Sequence, residues 1–316
     1  MQTALVAGGA GFIGTHLCKK LLNENYKVIC VDNLITGDKS NLKDIISDKN
    51  FVFSEKDITA DFEIEEPVDY VFHLASPASP NKNSLKSYIK YPIETLLVNS
   101  MGTKNMLDLA SNKKSKFLFA STSEVYGNPL ESPQREEYFG NVNPNGVRSV
   151  YDESKRFGGA ITMAYLRKFN LDVRIIRIFN TYGPLMQKDD GRVVSNFINQ
   201  AINNSPLTIY GEGSQTRSLC FVDDMVKGIG LAMFSDNTKG EVINLGNSDE
   251  KTIKEIADKI LKLTNSDSSY VFEQLPEDDP KQRRPDISKA KMLLNWEPKV
   301  SLEDGLLKTI EYFKSL

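Results

Sequence analysis

Short apolar runs alternate with amphipathic stretches through the first half of the chain. Residues 4–8, 27–32, 51–54, 70–75, 117–121 and 173–179 read as strands, because each is a compact apolar run bounded by turn-forming or polar positions. Between them lie stretches with helical spacing. Apolar strands that alternate with helices predict a parallel sheet covered on both faces, an α/β doubly wound fold. Residues 84–112 are long enough for one helix, with Pro92 near its start or at a break and Gly102 near its middle. Beyond residue 180 the apolar runs shorten, as at 207–210 and 219–222, and sit among Gly, Pro and Asn turns. This predicts a domain at 1–180, with later crossover segments, and a smaller lobe at 181–316, packed as one unit with a site between them.

The first strand runs into Gly8-Gly9-Ala10-Gly11-Phe12-Ile13-Gly14, and a helical pattern follows at once. A buried strand that feeds a glycine turn brings backbone N–H groups and a helix N-terminus onto a pyrophosphate. The second strand ends in Asp32. An acid there accepts both ribose hydroxyls and repels a 2′-phosphate, so the expected cofactor is NAD in a Rossmann-type domain.

Composition narrows the possibilities only modestly. The 316 residues are 40% hydrophobic and 26% charged with a formal net charge of −3, ordinary for a globular protein and without the basic excess of a nucleic-acid binder. No run reaches the roughly 18 apolar residues of a membrane span, and the chain enters its first strand without a leader, so a cytoplasmic protein is expected. Cys18, Cys30 and Cys220 are scattered within apolar runs and read as reduced core thiols. With only His16 and His73 besides, spacing assembles no metal site. His73 reads as a core histidine. The arginines and Lys281 near the C-terminus include ordinary surface charge, the reading preferred for Lys281.

Tyr151 and Lys155 stand four apart, on one face of a predicted helix. A cation beside a phenol lowers its pKa, which suits the tyrosine to take a proton from a sugar hydroxyl during oxidation. A second cluster, Ser121-Thr122-Ser123-Glu124-Val125-Tyr126-Gly127, ends a predicted strand, where sheets of this kind hold ligands.

These motifs and several longer blocks carry a resemblance. His73-Leu74-Ala75 with Pro77-Ala78-Ser79-Pro80, Asn141-Val142-Asn143-Pro144, Tyr151-Asp152-Glu153, Lys155-Arg156, Val222-Asp223-Asp224 and residues 177–184, 190–197, 210–217 and 278–287 resemble the extended short-chain dehydrogenases/reductases of the NAD-dependent epimerase/dehydratase family. Within it they are most similar to the UDP-glucuronate decarboxylases, or UDP-xylose synthases. The resemblance implies that Tyr151 and Lys155 serve oxidation at C4, with Thr122, Ser123, Glu124 and Arg283 around the reacting carboxylate. It implies cofactor contacts from Gly8, Gly11, Phe12, Ile13, Asp32, Asn33, Asp57, Ile58, Leu74, Ala75 and Asn99, besides Tyr151 and Lys155. Asn180, Arg192, Tyr210, Gln215, Arg217 and Arg283 would hold the nucleotide sugar. It also implies a homodimer built on the helices expected at 84–112 and 149–168, with Ile161, Ala164 and Leu166 either at that interface or in the core.

The chain departs from that family's pattern at four places. Lysines are common there where Glu94 and Leu97 stand here, arginine where Leu185 stands, and glycine where Ser154 stands. Lost positive charge near an anionic substrate bears on which nucleotide sugar is bound. A 4-epimerase needs only the Tyr151–Lys155 machinery and remains an alternative. A 4,6-dehydratase would have an Asp-Glu pair where this chain has Ser123-Glu124, and a non-catalytic NAD sensor has no need of the catalytic set.

Overall fold

The computed structural model describes residues 1–61, 63–275 and 282–316. Lys281 lies outside them. Six strands, β1 (Thr3–Ala7), β2 (Lys27–Asp32), β3 (Phe51–Glu55), β4 (Tyr70–His73), β5 (Lys116–Thr122) and β6 (Val173–Ile178), fall where the apolar runs predict them. They pair in parallel in the order β3-β2-β1-β4-β5-β6, and a seventh strand, Val242–Leu245, extends the sheet beyond β6. The second half of the chain thus adds the strand that completes the sheet of the first.

Alternate residues of each strand face opposite layers. Val6, Cys30, Phe72, Leu118 and Ile176 pack with Leu17, Cys18 and Leu21 of α1 (Phe12–Asn23) and with the helix Val222–Phe234. Leu5, Ile29, Val71, Phe117 and Ile175 pack on the other face. There they meet Met106, Leu107 and Ala110, which belong to α3 (Thr103–Lys113), and the partly buried Ile161 and Leu166 of α4 (Ser149–Phe169). Ile161 and Leu166 thus serve the core, while Ala164 is exposed.

The helix expected over residues 84–112 is shorter and interrupted. It begins at Pro92, as α2 (Pro92–Leu97), passes through a π-helical turn at Val98–Gly102 and continues as α3. The preceding segment is held by long-range polar contacts instead: Ser84 Oγ donates to Asp189 Oδ2 at 2.8 Å, and Ser87 Oγ to the Ser79 carbonyl at 3.0 Å. The second lobe consists of short pairings such as Leu207–Tyr210 with Tyr270–Glu273, and Thr216–Ser218 with Gln282–Arg283. Among the described residues no helix is long and apolar enough to cross a membrane.

Candidate active site

A cavity of about 310 Å³ lies at the carboxyl ends of the parallel strands, flanked by the second lobe. Strand order reverses between β1 and β4, and the cavity opens at that switch point. Its floor is the glycine turn. Gly8 has a left-handed φ of +82°, and a Cβ there would meet the Ala75 nitrogen at 2.6 Å. A Cβ on Gly14 would stand 2.0 Å from the Gly8 carbonyl oxygen, so turn and helix approach too closely for any side chain. α1 starts with Gly11 as its N-cap, has no side-chain cap and no acid in its first turn. Its first N–H groups are left for an external anion.

Asp32 closes the far side. Its carboxylate accepts from the Ala10 and Leu34 amides at 3.0 and 2.9 Å, and Gly37 lies so close that a Cβ would meet Oδ1 at 2.7 Å. Beyond it, the Asn33 side chain donates to Asp57 Oδ2 at 2.9 Å. Phe12, Ile13, Asn33, Asp57, Ile58, Leu74 and Ala75 all line the cavity with Gly8, Gly11 and Asp32. A glycine cradle, a bare helix start and a ribose-facing acid fit NAD. Asn99 is different: it is buried behind the wall, donating to Ser76 Oγ, the Thr95 carbonyl and Ser154 Oγ at 2.9–3.1 Å. Ser154 therefore ties α4 to the π-helical turn, a bond that glycine would not supply.

α4 and its N-cap, Arg148, deliver four side chains to one side of the cavity region. Arg148, Tyr151, Asp152 and Lys155 occupy positions i, i+3, i+4 and i+7, a single helical face. Lys155 Nζ donates to the Ala120 carbonyl at 2.9 Å and sits 5.9 Å from the Tyr151 ring centre. Burial pushes the Lys155 pKa down to about 7. Burial, seconded by the charges of Glu124 and Asp152, pushes Tyr151 up to about 12 against Arg192 and a Thr122 hydrogen bond. The expected lowering of the phenol is thus reversed, because desolvation of the buried phenol outweighs the charge and the hydrogen bond that favour its ionised form. His73 is a fully buried core residue, its Nε2 3.0 Å from Thr103 Oγ1, and burial together with Lys155 pushes it down to about 3.

Glu124, at the end of β5, receives two guanidinium groups on one oxygen. Arg148 Nη2 lies 2.6 Å and Arg283 Nη2 3.0 Å from Oε2, and Arg283 also donates to the Ser123 carbonyl at 2.8 Å. Burial opposes the charge of Glu124, but Arg283 and Arg148 overcome it and hold the pKa at about 2. Asp152 stands in the Tyr151-Asp152-Glu153 block with no role implied for it, and Arg148 lies in none of the family-like blocks, although the i, i+3, i+4, i+7 spacing around Tyr151 and Lys155 contains both. Tyr88 was also missed; it lines the cavity, is stacked on Tyr151 at 5.1 Å, and its hydroxyl has no partner among the described residues.

The nucleotide-sugar candidates separate into two groups. Asn180 and Arg192 line the cavity; Asn180 Nδ2 is buried without a partner among the described residues, and Arg192 donates to Asp190 and to the Ala78 carbonyl. Tyr210, Gln215 and Arg217 lie outside the cavity wall, on or beside the short strands of the second lobe, where Gln215 donates to the Tyr210 carbonyl and Arg217 pairs in register with Arg283. Glu94 and Leu97 line the cavity, whereas Leu185 does not and takes a left-handed φ of 70°. The loop after it clasps the first domain: Gln187 donates to the Thr36 carbonyl at 2.8 Å and Ser79 to the Asp190 carbonyl at 2.6 Å.

Comparison with known proteins agrees with this geometry. Residues 4–246 match the model of the NAD dependent epimerase/dehydratase family. The chain is 48% identical to UDP-glucuronic acid decarboxylase 1 of Danio rerio, over 98% of this chain and 72% of that protein. It is 49% identical to UDP-glucuronic acid decarboxylase 6 of Arabidopsis thaliana, over 98% of this chain and 88% of that protein. Among solved structures, UDP-glucuronic acid 4-epimerase of Bacillus cereus in complex with UDP-glucuronic acid and NAD superposes with a TM-score of 0.89 at 31% identity, covering 99% of both chains.

Proposed function

The chain belongs to the NAD-dependent epimerase/dehydratase family, and from that premise we propose that it decarboxylates UDP-glucuronate to UDP-xylose through a 4-keto sugar. The observation that carries this reading is Arg283, brought across the fold to Glu124 and Ser123 at the end of β5. One buried and one partly buried guanidinium group beside a strand-end hydroxyl cluster suit a substrate carboxylate.

When bound, NAD supplies the two-electron oxidant at C4 of the sugar and the means to reverse that oxidation. Lys155 and Thr122 stabilise Tyr151 as the phenolate, whose Oη takes the proton of the C4 hydroxyl and becomes the neutral phenol. A keto group at C4 makes the substrate a β-keto acid, so the C5 carboxylate leaves as carbon dioxide while its electron pair moves into the carbonyl. Thr122 and Ser123 donate to the developing enolate, and Arg283 with Arg148 orients the carboxylate before it departs. Protonation at C5 and reduction at C4 complete the product.

The glycine turn and Asp32 hold the cofactor, with Phe12, Ile13, Asn33, Asp57, Ile58, Leu74 and Ala75 as walls and Asn99 as a positioning residue through Ser154 and Ser76. Asn180 and Arg192 hold the diphosphate side of the substrate, and Tyr210, Gln215 and Arg217 its nucleotide end, so residues 181–316 act as the substrate lobe. Exposed Ile93, Leu96, Met101 and Phe157 on α2, the π-helical turn and α4 form the face through which two copies pair; light scattering of the purified protein tests the dimer. Its three unpaired, buried cysteines suit the reducing cytoplasm, which cell fractionation tests.

Mixing the protein with UDP-glucuronate and catalytic NAD, and following the sugar protons by NMR, tests the main reading. UDP-xylose with release of carbon dioxide is expected. UDP-galacturonate would instead establish a 4-epimerase.

A further inference from the structure

Decarboxylation consumes a proton, and the residues assigned so far do not supply it. Glu124 is held as a carboxylate by two guanidinium groups on Oε2. Arg148 and Arg283 are far too basic to give up protons. Tyr151 and Lys155 are committed to C4. The acid that protonates C5 has to come from behind this set.

Behind it lies a second, polar cavity of about 270 Å³, lined by Gly127, Asn128, Asn141, Val142 and Asn143 as well as the ion-paired residues. Glu124 and Arg148 are walls of both cavities. Asp152 lines only the second; it is 5% exposed, and its Oδ1 has no hydrogen-bond partner among the described residues. An ionised carboxylate with one buried oxygen left without a donor is costly in such a place, whereas a protonated one is tolerated. The charged groups that act on it are Glu124 and Glu153, which favour its neutral form, and Arg148 and Arg283, which oppose it. Burial adds to the acids and prevails, raising its pKa to about 8.

We propose that Asp152 is the proton reservoir for the decarboxylation, passing its proton through water in the second cavity, past Glu124, to C5 of the sugar. This rests on the decarboxylase reading. The electron pair released from the C5–carboxylate bond into the C4 enolate returns to form the new C5–H bond. The Asp152 O–H bond breaks as that bond forms, and the carboxylate recovers a proton from solvent through the same cavity. One proton is taken up for each carbon dioxide lost, so the step balances. Asp152 acts through water and is a positioning and relay residue, not one that touches the sugar.

The test compares wild type, Asp152→Asn and Asp152→Glu on UDP-glucuronate with NAD. Asp152→Asn is expected to lower kcat by about 10²-fold, the low end for a lost acid, with KM little changed. A first turnover of carbon dioxide should still appear, and reduced cofactor should accumulate in its absorbance band because the step after decarboxylation has slowed. Asp152→Glu should recover a large part of the rate. Carboxyl-labelled aspartate NMR of the NAD-loaded wild type, without substrate, should show one side chain titrating near neutral pH, its signal absent from Asp152→Glu; this holds even if Asp152→Asn fails to fold. Absence of carbon dioxide from wild type would overturn both the functional reading and this proposal. Wild-type turnover with an unaffected Asp152→Asn enzyme, a fall in kcat without accumulated reduced cofactor, or an Asp152 carboxyl titrating in the ordinary acid range would overturn this proposal alone.

Discussion

Replacing Arg283 by Leu removes two hydrogen bonds and half of the pairing of a partly buried carboxylate. The bond to the Ser123 carbonyl at 2.8 Å and the charge-assisted bond to Glu124 at 3.0 Å are made by a side chain that is 1% exposed. A hydrogen bond from a charged donor is worth about 1.5–3 kcal/mol, and removing one partner of a buried pair costs about 3–5 kcal/mol. The Arg148 contact at 2.6 Å remains, so the lower end, about 3 kcal/mol, is the expected loss of stability. Its pH dependence identifies the source. The folded pKa of Glu124, about 2, lies below its ordinary 4.5, so the stability it contributes is present above pH 4.5 and is lost as pH falls through 2. Arg283→Leu weakens that depression. The stability gap between wild type and variant should be full above about pH 5 and narrow as acid is added. Denaturant melts at pH 7, 5 and 3.5 measure it, and carbon dioxide release measures the loss of transition-state binding, expected at about 10–100-fold in kcat/KM from one lost carboxylate contact. A gap that stays constant with pH, or an Arg283→Leu enzyme with wild-type kcat/KM, would refute the assignment of Arg283 to Glu124 and the substrate.

Tyr151→Phe removes the C4 base and should cut kcat by about 10²–10⁴-fold while leaving NAD bound, which cofactor release on denaturation would check. Gly14→Ala places a methyl 2.0 Å from the Gly8 carbonyl oxygen, so the turn must shift; cofactor affinity measured by calorimetry should fall well before the fold is lost. Asp152 has its pKa raised to about 8 from 3.8, so its favourable contribution to stability is full below pH 3.8 and disappears as pH rises through 8. Thermal melts from pH 6 to 9 should therefore drop further for wild type than for Asp152→Asn.

The central sheet was legible because its strands are buried on both faces and read as unbroken apolar runs. The helix start at Pro92 was not, since residues 84–91 are fixed by hydroxyls reaching Ser79 and Asp189, contacts with no periodic signature. Tyr151, Lys155, Thr122 and the glycine turn were found through motifs and lie at one cavity. Arg148 belongs to the same helical face but to no motif, Asp152 to the Tyr151-Asp152-Glu153 block without a role, and both roles emerge only when Arg283 arrives from the far end of the chain. The rise in the Tyr151 pKa also escaped the sequence, because it comes first from burial of the phenol itself, which spacing along a helix does not reveal.

The seventh strand, Val242–Leu245, sets the order in which the protein can become whole during its synthesis. β6 leaves the ribosome with one edge unpaired, and its partner follows roughly 70 residues later, a delay on the order of 3–14 seconds at cellular translation speeds. For most of that interval Ile176 lacks its cover from the helix Val222–Phe234, and throughout it the nascent sheet presents an open parallel edge. Such an edge is a template for pairing with another chain. Slow decoding between residues 180 and 245 would prolong that exposure, so the chain's tolerance of synonymous codons should be lowest there.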